Sequence, residues 1–119
     1  MKLRPLGEME LRFAKLIWEC APVGSGELVR RCEQAFGWKK STTYTMLKRL
    51  CQRGLFENAA GMVTATINLD QYRQMRTEAF VEENFGGSVP QFLAAFAARR
   101  ALSEREIDQI QTLIDQYRG

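Results

Sequence analysis

The apolar residues of this chain change their spacing at Gly54, and that change restricts the folds open to it. Before Gly54 they recur every three to four residues, the period of helices buried on one side. After it they crowd into two short runs rich in branched residues, the mark of strands. Leu6, Met9, Phe13, Leu16 and Ile17 place an amphipathic helix over roughly 7–20. Ala21-Pro22-Val23-Gly24 ends it, because proline cannot continue the hydrogen-bond ladder. A second helix begins near Gly24 or Ser25, with Glu27 suited to the positive end of the helix dipole. Its apolar face is Leu28, Val29, Cys32 and Phe36, and Gly37 stops it. Trp38-Lys39-Lys40 leads into a third helix over about 40–53, with Thr43, Met46, Leu47 and Leu50 facing inward and Gly54 closing it. Leu55-Phe56-Glu57 and Met62-Val63-Thr64-Ala65-Thr66-Ile67 then read as two strands joined by an Asn58-Ala59-Ala60-Gly61 turn. Three helices followed by a hairpin is the order of a winged helix-turn-helix, expected here over residues 1–69.

Residues 70–119 read as helical throughout, so the expected class is mainly α (α+β). Asp70 is placed to cap a helix carrying Tyr72, Met75, Ala79 and Phe80, and Gly86-Gly87 breaks it. Ser88 caps the next, with Pro90 tolerated in the first turn. Ser103-Glu104-Arg105-Glu106 forms a capping box for the last. Behind it Ile107, Ile110, Ile114 and Tyr117 run at 3-4-3 spacing, the seam of a coiled coil. A region this small cannot bury so wide an apolar stripe within itself. The cover is either the front half of the same chain or, as expected here, a second copy, making 70–119 a three-helix dimerisation region with Phe80, Phe92, Leu93, Phe96, Ile107, Ile110, Ile114 and Tyr117 at its interface.

Charge separates the two halves. Residues 1–58 hold 11 Lys and Arg against 6 acids, whereas residues 59–119 hold 6 against 8. A basic front half fits a polyanionic partner. In a helix-turn-helix the third helix enters the major groove of double-stranded DNA. There Ser41, Thr42, Tyr44 and Thr45 offer hydrogen-bonding groups to base edges, while Lys39, Lys40, Lys48, Arg49 and Arg53 suit phosphates. A protein-interaction module that uses the same surfaces without reading DNA sequence is the alternative.

Histidine is absent, which removes the usual general base, Ser-His and Cys-His nucleophile pairs, and Cys/His zinc sites. Cys20, Cys32 and Cys51 sit among apolar residues and never in a C-x-x-C spacing, so they read as buried reduced thiols. No enzyme activity, metal or cofactor is expected. No apolar run reaches the roughly 18 residues of a membrane span, so the expected location is cytoplasmic, without membrane insertion.

Several ordered landmarks carry a resemblance. They are Leu6-Gly7-Glu8-Met9-Glu10 leading to Leu16-Ile17-Trp18-Glu19, then Val23 to Glu27-Leu28, then Thr42-Thr43-Tyr44-Thr45-Met46-Leu47-Lys48-Arg49-Leu50 with Gly54-Leu55. Phe80-Val81, Phe85-Gly86-Gly87-Ser88 and Leu102-Ser103-Glu104-Arg105-Glu106-Ile107 follow. In this order they resemble the penicillinase-repressor family, which holds the β-lactamase and methicillin-resistance repressors and the copper-transport repressors. The resemblance implies a homodimeric repressor of resistance or transport genes on a palindromic operator. The segment matching Ser41 to Thr45 would read the operator, and the C-terminal helices would make the dimer. In the β-lactamase branch a protease triggered by a membrane sensor cuts an Asn-Phe pair. That pair aligns with Ala95-Phe96, which makes this bond the implied proteolytic switch. Gly24 and Lys39 stand where the family has serine caps, and Met62 where its wing has arginine. Residues 58–69 hold no basic residue, so weak wing–phosphate contact is expected. The Cys-x-Cys clusters of the copper branch are absent.

Overall fold

The computed structural model describes residues 4–119; Lys2, counted in the basic half, lies outside the described residues. The elements are α1 (Glu8–Cys20), β1 (Val23–Gly24), α2 (Ser25–Phe36), α3 (Lys40–Gln52), β2 (Phe56–Ala59), β3 (Met62–Ala65), α4 (Leu69–Phe85), α5 (Val89–Arg99) and α6 (Glu104–Arg118). The chain divides into two compact units, Met1–Thr77 and Glu78–Gly119.

In the first unit the inward faces of α1, α2 and α3 meet under the hairpin. Phe13, Ile17, Leu28, Leu47, Leu50, Leu55 and Val63 are almost wholly removed from water. Thr43 shares this core because its hydroxyl donates to the Lys39 carbonyl one turn back, at 3.3 Å. Of the three cysteines expected to be buried, Cys32 is, whereas Cys20 and Cys51 are half-buried; burial pushes all three thiols up from their ordinary range.

The connection from α2 to α3 is fixed by two devices. Gly37 takes a left-handed φ of 68°, and its N–H donates to the Glu33 carbonyl at 2.9 Å. Trp38 then packs against Phe36 and Phe13, with ring centroids 4.9 and 5.2 Å apart.

The sheet is antiparallel in the order β1-β3-β2. Ala59 opposes Met62, which leaves Ala60 and Gly61 as a two-residue loop with φ of 51° and 80°. That conformation matches the strand twist and favours glycine at the second position. The hairpin of the sequence reading is present, with a tighter turn. β1 is an addition: Val23 pairs with Val63 and Gly24 with Met62.

α4 is capped by Asn68 and not by Asp70. Asn68 Oδ1 accepts the Gln71 N–H at 2.7 Å, and Gln71 Oε1 accepts the Asn68 N–H at 2.8 Å, a reciprocal box. The first turns of α4 belong to the first unit because Tyr72 packs on Trp18, with centroids 5.4 Å apart. Trp18 in turn stacks on Phe56 and donates its indole N–H to the Ile67 carbonyl at 2.8 Å. The structural division therefore falls inside α4, after the boundary read from sequence.

In the second unit Phe80, Phe85 and Phe92 form an aromatic trio with centroids 5.9–6.2 Å apart. Gly86 and Gly87, both at positive φ, turn the chain between α4 and α5. Ser88 then caps α5, and Ser103 with Glu106 forms the capping box of α6. Arg100 grips both Glu106 oxygens, at 3.1 and 2.7 Å. This grip, aided by the Ser103 N–H, holds the Glu106 carboxyl down to about 2. A folded-state value below the ordinary carboxylate range stabilises the fold above about pH 4.5, and the gain is lost as pH falls toward 2. Carbon-13 NMR titration should place the Glu106 midpoint near 2, and Arg100→Gln should return it toward the ordinary range. An unmoved midpoint in the variant would assign the shift to the cap alone.

Candidate nucleic-acid interface

The exposed side of α3 collects most of the residues singled out from the sequence. Ser41, Thr42, Thr45, Lys48 and Arg49 are exposed, and Lys39 and Lys40 are exposed at its start. Ser41, Thr42, Thr45, Met46 and Arg49 line one shallow hollow of about 280 Å³. Spacing explains this: residues three and four apart fall on one helix face, and the positions between them face the core.

The electrostatics of this helix end are unusual for a stable helix. The first turn of α3 has no acidic residue, and its N-cap, Lys39, makes no side-chain cap bond. Unsatisfied N–H groups and the positive dipole end therefore coincide with two lysines. Such an arrangement costs the isolated helix a few tenths of a kcal/mol or more. It also makes the end of α3 strongly attractive to anions.

Two predicted residues are engaged within the protein. Arg53 donates to the Arg4 carbonyl and lies 3.9 Å from Glu10, so its guanidinium ties the end of α3 to the start of α1. The Tyr44 hydroxyl donates to Ser25 Oγ at 3.1 Å. Ser25 was read from the sequence only as a helix start, because nothing local signals a partner 19 residues away.

The larger groove of the first unit, about 910 Å³, lies between α1, β3 and the start of α4. Lys15, Glu19, Asp70 and Arg73 line it with alternating sign, so it presents no concentrated field. Among the described residues no group of three or more His, Cys, Asp or Glu is placed to hold a metal ion. No described helix is long and apolar enough to cross a membrane.

The winged-helix arrangement and its basic third helix agree with a match to the family model described as penicillinase repressor, over residues 6–116. The chain belongs to the penicillinase repressor family. Family membership makes it a transcriptional regulator and not an enzyme. Among penicillinase repressors, that of Bacillus licheniformis is 22% identical over 99% of this chain and 95% of its own length. A Latilactobacillus sakei protein, described as an uncharacterized 16.5 kDa protein in the ptsI 3′ region, is 27% identical over 88% of this chain and 75% of its own. The solution structure of the Bacillus licheniformis BlaI monomeric form in complex with the blaP half-operator is similar in fold. It has a TM-score of 0.50 at 24% identity, covering 60% of this chain and 92% of that one. Within this penicillinase-repressor fold, the exposed face of α3 is the candidate DNA-reading surface.

Proposed function

We propose that the chain is a homodimeric repressor that binds a palindromic operator, each copy inserting α3 into the major groove. The observation that carries this reading is the uncapped, acid-free, lysine-flanked start of α3 beside an exposed face of Ser41, Thr42 and Thr45. A helix end of that charge costs stability unless phosphates meet it. The BlaI complex, a monomeric form on a half-operator, supports one reading unit per half-site. Neither α5 nor α6 has a buried residue, and Phe80, Phe96, Ile107, Ile114 and Tyr117 are exposed, which supports a second copy as their cover. Phe92, Leu93 and Ile110 are half-exposed on the same helices.

Relief of repression by a membrane-sensor-triggered protease would act at Ala95–Phe96. That bond lies inside α5, and the Phe96 carbonyl accepts the Arg100 N–H at 3.1 Å. A protease has to open the last turn of α5 before it can cut.

Fluorescence anisotropy on duplex from the chain's own upstream region, against scrambled duplex, tests the reading. Thr42→Ala should weaken only the specific complex, by about 1–3 kcal/mol. Lys48→Ala should weaken both duplexes alike and flatten the salt slope by about one counterion per site. Equal, weak binding to both duplexes by the intact chain would remove sequence readout. The wing's lack of Lys or Arg, with Met62 exposed, favours a protein-interaction module as the second reading. Absence of duplex binding at low salt together with a stable protein partner would establish that module.

A further inference from the structure

We infer that Tyr44 is a positioning residue: through Ser25 it fixes the wing turn relative to α3, and this linkage is its contribution to operator selectivity. The inference rests on the reading of α3 as the DNA-reading helix.

Ser25 sits between the two elements that would meet DNA. Its Oγ accepts the Tyr44 hydroxyl at 3.1 Å, and its N–H donates to the Gly61 carbonyl at 2.8 Å. Gly61 is the second residue of the wing loop, so one residue holds the middle of α3 on one side and the tip of the hairpin on the other. The root of the hairpin is fixed separately, where the Leu55 N–H donates to the Leu50 carbonyl at the end of α3. The Ser25 N–H bond carries the two-residue β1 pairing on to the wing loop, and the Tyr44 hydroxyl anchors the side chain of that same residue to α3.

Tyr44 is also poorly placed to act as a base reader. It is half-buried, its hydroxyl proton is committed to Ser25, and Lys40 Nζ lies 6.0 Å from its ring centroid. Thr42 and Thr45 beside it are exposed. The wing stretch 58–69 carries no charged residue, so freeing its tip removes no electrostatic attraction to phosphates. Loss of the link should therefore lower operator affinity and leave binding to scrambled duplex, and its salt slope, as they were.

The test uses the intact chain with Tyr44→Phe, Ser25→Ala and both together, titrated on duplex from its own upstream region and on scrambled duplex. Each single variant should bind the specific duplex about fivefold more weakly, the scale of one hydrogen bond. The double variant should lose the same fivefold, because the second change removes an interaction already gone. In the free protein, Tyr44→Phe should shift the Gly61 and Met62 amide resonances and speed hydrogen exchange at the Ser25 N–H, with the melting temperature lowered only by the few degrees that one hydrogen bond accounts for. Wild-type affinity in Tyr44→Phe would overturn the inference. So would losses that multiply to about 25-fold in the double variant, or a loss in Tyr44→Phe with none in Ser25→Ala, which would make Tyr44 a direct reader. If the unaltered chain fails to discriminate between the duplexes, the repressor reading fails instead. The amide measurements on the free protein then still decide the linkage.

Discussion

A chain carrying Ile107→Asp and Ile114→Asp should sediment as a monomer and bind its operator about 10²–10⁴-fold more weakly than the unaltered chain. Two linked reading heads bind a two-fold site as one event followed by an intramolecular second, and separating them removes that second event's effective concentration. The apolar side of α6 is where such a separation should be easiest. Ile107 and Ile114 are each close to half exposed, and Tyr117 is 86% exposed. An aspartate placed there stays solvated in the separated chains and would be buried in the dimer, where an unpaired charge is strongly unfavourable. Half-operator affinity should be little changed, since the first unit carries α3 by itself. Sedimentation and anisotropy on whole and half operators check both statements, and a variant that remains dimeric would move the interface away from α6.

The second large effect should be on stability. Leu50 is wholly buried among Phe13, Ile17, Leu28, Leu47 and Leu55. Leu50→Ala should cost about 2–5 kcal/mol, from lost transfer energy and from the space left behind. Against a total stability of about 5–15 kcal/mol, that is a large share of what holds a small domain folded. Denaturant unfolding should show the midpoint fall with little change in slope. A loss under about 1 kcal/mol would mean that the core collapses to fill the gap.

Local signals account for what could be read from the residues alone. The three helices of the first unit announce themselves because Phe13, Ile17, Leu28, Cys32, Leu47 and Leu50 recur at helical spacing, and all are buried. The capping box at Ser103 and the glycines at 86 and 87 act within a few residues of themselves, so they too were visible. What escaped depends on distant partners. β1 is two residues long, and its definition comes from pairing with Met62 and Val63, far along the chain. Asn68 and Asp70 are both good caps, and only the reciprocal bonds with Gln71 separate them. Tyr72 fits the apolar face of α4 in either unit until Trp18 is seen beside it. On the α3 surface, Ser41, Thr42, Thr45, Lys48 and Arg49 share an exposed face, whereas Tyr44 and Arg53 are half-buried. The engagement of Arg53 with Arg4 and Glu10, and of Tyr44 with Ser25, could not be seen from helical spacing.

The placement of the two tryptophans has an optical consequence. Trp18 and Trp38 both lie in the first unit, one against Tyr72 and Phe56, the other on the connection that leads into α3. Residues 78–119 contain none. Intrinsic indole emission is therefore a private signal of the first unit, while far-UV circular dichroism sums the helices of both. Following the two signals through one melt separates the unfolding of the first unit from that of the remaining helices without cutting the chain or attaching a dye.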